Sequence, residues 1–173
     1  IVTHLTYRYN LPTLRPEIRS NPNSYRSELY SGGVLTTPDD LSWKRLGGGL
    51  ESSVIDLARF GNLLINGQIL SNGNLNNFLW SNTPGQWRDL GYGHGFEAWE
   101  TACGRFFAEK AGDQRGSDSV LVVYPDDDVV VAVMTNQRQN TGRNLNTFVV
   151  DEAAELGRWI GNRIFNDCGS SVP

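Results

Sequence analysis

Two apolar runs, Val120 to Tyr124 and Val129 to Met134, flank the segment Pro125-Asp126-Asp127-Asp128. This arrangement constrains the fold more than any other feature of the chain. β-Branched residues dominate both runs, and a proline followed by three aspartates reads as a solvated turn between two strands. A hairpin over residues 117–124 and 129–135 follows. Its runs are almost continuously apolar rather than alternating, so both of its faces must be covered. Upstream, Tyr92 to Trp99 and Arg105 to Lys110 read as two more strands joined around Ala102-Cys103-Gly104.

The covering elements are legible as helices. Ser53 can cap one, with Asp56 three residues on as a capping-box-like acid. Ile55, Leu57, Phe60, Leu63 and Leu64 form its apolar face, and Gly67 ends it. Leu70 to Trp80 reads as a second, short helix, and residues 81–91 as a turn-rich connection. A last helix is expected from Thr147 to Phe165, with Val149, Ala153, Leu156, Ile160 and Ile164 as its stripe. At the front, Thr3, Leu5 and Tyr7 alternate with other residues as in a short strand. Residues 11–46 are rich in Pro, Asn, Ser and Arg with little periodicity, a long irregular segment of a kind uncommon inside a compact domain. The order, two helices, four strands, one helix, predicts an α+β fold: an antiparallel sheet with helices on its faces.

Composition sets outer limits. A chain of 173 residues, 39% hydrophobic with five Trp and seven Phe, can bury a sizeable core. A net charge of -4, with its Arg scattered, gives no reason to expect nucleic acid. No apolar run approaches the roughly 20 residues of a membrane-spanning helix. The first residue is Ile1 rather than Met, which reads as a trimmed or cleaved product. Cys103 and Cys168 are too far apart to be a metal or redox pair. They fit either one long-range disulfide in an exported protein or two independent thiols. No cofactor and no metal site is expected.

The chemistry concentrates in Lys110-Ala111-Gly112, followed by Gly116 and Ser119 and then by the hairpin through Thr135-Asn136. A lysine on a strand, a close-approach glycine and a tight turn read as one wall of a serine-hydrolase site. A second stretch is Ser42-Trp43-Lys44, then Gly47-Gly48-Gly49-Leu50-Glu51-Ser52-Ser53 and Asp56 to Gly61. Together the two stretches resemble the penicillin-recognising serine hydrolases: class C β-lactamases, D-alanyl carboxypeptidases, D-aminopeptidases and related esterases. The first is similar to that family's Lys-Thr-Gly or His-x-Gly strand, the second to its glycine-rich turn and helix. The order and spacing make the match specific over about residues 42–136.

The resemblance implies a β-lactamase-like domain of which residues 1–173 are the C-terminal portion. Within it, 1–46 is irregular, 47–80 helical, 92–136 antiparallel strands and 147–165 the C-terminal helix. The family's Ser-x-x-Lys and Tyr-x-Asn elements are not in the sequence: Lys44 and Lys110 follow Leu41 and Phe107 at that spacing, and no Tyr has Asn two positions on. The implied partner is therefore an N-terminal portion of the same protein carrying the nucleophilic serine. The implied reaction is acyl transfer from a small peptide, β-lactam or ester, in a secreted or periplasmic protein. In that setting Lys110 would favour developing negative charge. The N–H of Asp113 would be one oxyanion donor. Ala111, Gly112 and Trp43 would line the substrate, Gly112 by letting it approach the strand backbone. Ala111 stands where the family has a threonine hydroxyl, which weakens the case for strict penicillin or D-Ala-D-Ala recognition. The competing reading is a non-catalytic binding or structural protein that keeps the fold.

Other candidates are weaker. His94, between Gly93 and Gly95, reads as a strand histidine with local partners, and His4 as a surface residue. Ser52 and Ser53 read as helix caps. Trp80, Trp87 and Trp99 read as core aromatics. A chymotrypsin-like protease, prompted by Ile1-Val2 and Gly112-Asp113, is excluded because there is no Gly-Asp-Ser-Gly and His4 has no suitable context.

Overall fold

The computed structural model describes residues 1–18, 26–37, 39–41, 43–44, 47–76, 92–101, 103–138 and 152–165. At its centre is a four-stranded antiparallel sheet of β5 (Glu97–Glu100), β6 (Phe106–Gln114), β7 (Ser117–Tyr124) and β8 (Val129–Thr135), in that spatial order. The hairpin β7–β8 pairs in continuous register from Asp118↔Thr135 to Tyr124↔Val129. A 3₁₀ turn, Pro125–Asp127, connects the two strands, and Asp128 closes it at φ 55°. The turn is more than a solvated link: Asp127 pairs with Arg105, and Asp128 accepts from Asn66 at 2.9 Å.

Alternation along β7 sends Leu121 and Val123 to one face and Val120, Val122 and Tyr124 to the other. The first face is covered by α2 (Val54–Ile65), whose Leu57, Phe60, Leu64 and Ile65 join that cluster. The second face is covered by α4 (Glu152–Phe165), through Ala153, Ala154 and Ile160. This two-sided covering is what the continuously apolar runs required. Val120, Val122 and Val123 are fully buried, and each such side chain contributes about 1.5–3 kcal/mol by leaving water.

Helix α2 is bounded as its sequence dictates. Ser53 Oγ accepts from the Asp56 N–H at 3.2 Å. At the other end Gly67, at φ 68°, donates to Leu64 O while Gln68 donates to Leu63 O, the paired hydrogen bonds of a Schellman termination. Its inner face differs from expectation at Ile55, which is 68% exposed. Gly61 takes the contact instead: a Cβ there would lie 2.7 Å from Val130 and 2.9 Å from Leu121.

In α4 the stripe is rotated from the one expected. Leu156 and Ile164 are exposed, and the contact line runs through Gly157 and Gly161. A Cβ at Gly161 would sit 2.0 Å from Tyr124 Oη. The glycines let the helix backbone approach the sheet, and the larger side chains are displaced from the contact. Val149 and residues 147–151 lie outside the described residues.

The remaining elements are short. Residues 2–8, expected as a strand, form a helix, α1 (Val2–Arg8). None of its residues is buried, so no burial pattern distinguished helix from strand there. The segment read as irregular contains three short strands: β1 (Arg15–Pro16), β2 (Leu29–Ser31) and β3 (Val34–Thr36). β1 pairs with β4 (Leu50–Glu51) just before α2. β2 pairs antiparallel with β3 and parallel with β9 (Gln137–Arg138), making a small sheet at the end of the hairpin. Thr13 ties the irregular segment to the start of α2, because its N–H and its hydroxyl both donate to the buried Asp56 carboxylate, at 2.7 and 2.6 Å. Of the second helix, only a turn, α3 (Asn72–Asn74), falls in described helix, followed by the buried Leu75.

Candidate active site

Strand β6 alternates like its neighbours. Ala108 packs in the cluster under α2 and Phe107 in the cluster under α4. Lys110 and Gly112 therefore share the α2 face, whereas the Ala111 methyl packs into the α4-side cluster. Any contact of Ala111 with a substrate would come from its backbone. Lys110, Gly112 and Asp113 are exposed. Helix α2 crosses β7 and β8 and so lies to one side of Lys110.

β5 pairs with β6 only from Phe106 to Glu109, while β7 pairs from Ala108 to Gln114. Among the described residues, 110–114 thus pair on one side alone. Alternate backbone groups of an antiparallel strand point to opposite sides, so part of this stretch points away from β7. Asp113 lies in this stretch. Gly112 sits directly across from Ser119, and a Cβ on it would come within 2.7 Å of Ser119 Oγ. The close contact at this glycine is with the neighbouring strand.

Two supports hold the end of β6. Gly116, at φ 81°, forms the turn to β7; a Cβ there would meet Thr36 at 2.7 Å and Leu29 at 2.9 Å. The β2–β3 hairpin is therefore packed against this turn. On the other side, a Cβ at Gly48 would lie 3.8 Å from Lys44 and 4.0 Å from Gln114. The glycine-rich turn and the lysine strand, far apart in sequence, meet at the end of β6. Trp43 is next to this junction, 75% exposed, with the Lys44 ammonium 5.5 Å from its ring centroid.

Lys110 itself is partnered. Its ammonium donates to Tyr92 Oη at 2.5 Å. Sequence reasoning missed Tyr92; the signal available was the Gly93-His94-Gly95 turn beside it. His94 lies in that turn and not on a strand, is exposed, and has a partner. Behind the site, Glu109 is buried and accepts from Arg158 Nε at 2.9 Å, fixing β6 to α4. Trp99 is a core aromatic, stacked on Phe107 at 6.5 Å. Trp80 and Trp87 lie outside the described residues. His4 packs edge-on against Tyr9. In β2, the Tyr30 phenol is pushed above its ordinary 10.0 by its hydrogen bond to Glu28 and by that carboxylate's charge.

No cluster of three or more His, Cys, Asp or Glu able to hold a metal ion occurs among the described residues. No described helix is long and apolar enough to cross a membrane. Cys103 is disulfide-bonded; the chain's other cysteine, Cys168, lies outside the described residues.

A family model described as Beta-lactamase matches residues 4–155. No curated protein matches the chain. Among solved structures, the chain is similar to a D-stereospecific amidohydrolase from Streptomyces sp., with 21% identity, a TM-score of 0.68, and 96% of this chain and 47% of that one covered. It is also similar to a D-amino acid amidase from Ochrobactrum anthropi SV3 in complex with L-phenylalanine amide, with 16% identity, a TM-score of 0.74, and 95% and 49% covered. The same amidase in complex with D-phenylalanine matches at 14% identity and a TM-score of 0.66, with 81% and 47% covered. The chain thus spans about half the length of these structures.

Proposed function

This chain belongs to the beta-lactamase family of penicillin-recognising serine hydrolases, and from that membership we propose that it forms one half of an acyl-transfer site. The observation that carries the proposal is Lys110: an exposed lysine on the stretch of β6 beyond its pairing with β5, beside Gly112 and to one side of α2. An N-terminal part of the protein supplies the serine, its Ser-x-x-Lys lysine and the Tyr-x-Asn loop. The serine oxygen attacks the carbonyl, the leaving group departs with a proton, and water then hydrolyses the acyl-serine. Lys110 stabilises the negative charge that develops on the way, and the Asp113 N–H donates to the oxyanion. Substrate backbone lies along the side of 110–114 that points away from β7, with Gly112 keeping that approach clear.

The substrate is a small peptide, amide, ester or β-lactam. The names of the two similar proteins favour the amide of a D-amino acid, and Ala111, which has no hydroxyl, weakens the case for a strict penicillin binder. A disulfide at Cys103 supports a secreted or periplasmic protein. The test uses the full-length protein with D- and L-phenylalanine amide, a chromogenic ester and a chromogenic β-lactam, and a mass measurement of the acylated serine. Turnover with an acyl adduct is expected. Absence of both, with all four probes, favours the non-catalytic reading.

A further inference from the structure

Tyr92 holds the Lys110 ammonium through its hydroxyl. Its oxygen accepts the hydrogen bond at 2.5 Å, and its ring centroid stands 5.2 Å from the same nitrogen. The ammonium thus lies at the ring's edge, beyond the hydroxyl, and the oxygen lone pair is what holds it. The tyrosine is delivered there by a built turn. Tyr92 bridges to Glu97 at the start of β5. The Gly93 N–H donates to Phe96 O at 2.8 Å, and Gly95 takes a φ of 118° that a side chain would resist. Phe96 is buried in the cluster under α2 and anchors the turn to the sheet.

An exposed lysine on a flexible four-carbon stem is otherwise spread over many rotamers. Charge stabilisation in a transition state works best when the cation is already in place. We infer that Tyr92 is a positioning residue for the acyl-transfer site, fixing the Lys110 ammonium over β6. Its role in the reaction rests on the hydrolase reading above; the pairing with Lys110 does not.

Two variants separate the hydroxyl from the ring. Tyr92→Phe keeps the ring and removes the acceptor, and Tyr92→Leu removes both. The chain has two lysines, Lys44 and Lys110, so Lys44 serves as an internal reference. The full-length protein is labelled with limiting acetic anhydride, and the Lys110:Lys44 ratio is read by peptide mass. The ratio should change several-fold in Tyr92→Phe and by about as much in Tyr92→Leu. In the same proteins kcat for a chromogenic ester should fall about tenfold, with KM nearly unchanged and the melting temperature retained, as expected when a group needed in the transition state is misplaced. An unchanged labelling ratio overturns the pairing. A changed ratio with unchanged kcat overturns the positioning role. A wild type without turnover sinks the hydrolase reading, and with it the role of Tyr92 in the reaction, while the labelling ratio still decides the pairing.

Discussion

Lys110 and Glu109 are adjacent in sequence and opposite in environment, because a strand sends successive side chains to opposite faces. Glu109 is 2% exposed and bound by Arg158, whereas Lys110 is exposed. Two predictions follow from that contrast. Lys110→Ala in the full-length protein should lower hydrolysis of an ester or β-lactam probe by about 10²-fold, the loss typical of removing one electrostatic stabiliser. Its melting temperature should hardly move, which thermal unfolding beside the rate assay will check. Arg158→Ala should instead lower stability, because the buried Glu109 carboxylate loses the hydrogen bond and the charge that Arg158 supplies. Urea unfolding of the single variant and of Glu109→Gln/Arg158→Met measures this; the double variant should recover most of the loss. Lys110 stood out in the sequence as a candidate because a short motif and its spacing marked it. The Tyr92 and Arg158 contacts were not legible, since each joins residues from different elements, and no local pattern records which side chain crosses a strand or a helix to meet another.

At the scale of elements, the hairpin and α2 were legible for physical reasons. Continuous β-branched runs around a proline turn admit few folds, and a cap with a glycine stop marks a helix at both ends. The face that α4 presents was misread because apolar periodicity counts large residues and overlooks glycine. Gly157 and Gly161 set the packing distance, and they carry no hydrophobic signal at all. The consequence is testable with one pair of substitutions. Gly161→Ala gains about 1 kcal/mol of helix propensity. It also drives a methyl into Tyr124, 2.0 Å from Oη and 2.7 Å from Cζ. Overpacking of that kind costs about 1–3 kcal/mol, and with Cζ held in a close-packed core the clash should win. Gly73→Ala in α3 meets nothing within 4 Å, so it should be neutral or stabilising by up to about 1 kcal/mol. Equal effects of the two substitutions in denaturant unfolding would contradict the close helix–sheet contact.

At the scale of the whole molecule, the central sheet is covered on both faces by α2 and α4. Residues 110–114 have a strand partner on one side among the described residues. The outward side of α4 carries Leu156 at 44% and Trp159 at 57% exposure, apolar area of a kind that marks a contact surface. The fold class and the order of α2, the four central strands and α4 were legible in the sequence because they follow from patterning within each segment. What lies along the other side of 110–114 was not, because no local residue pattern specifies which strand or segment a given edge will meet. The chain covers 47–49% of the three structures above, and we predict that residues 1–173 expressed alone do not fold stably. An open strand edge recruits other chains, and intermediates with exposed apolar surface aggregate. Size-exclusion chromatography and urea unfolding of the isolated chain should show aggregates or a broad, non-cooperative transition, and co-expression with the N-terminal part should restore a sharp one. A monomer that unfolds cooperatively on its own would mean that the β6 edge and the α4 surface need no partner, and the proposal that another part of the protein completes the site would lose its structural support.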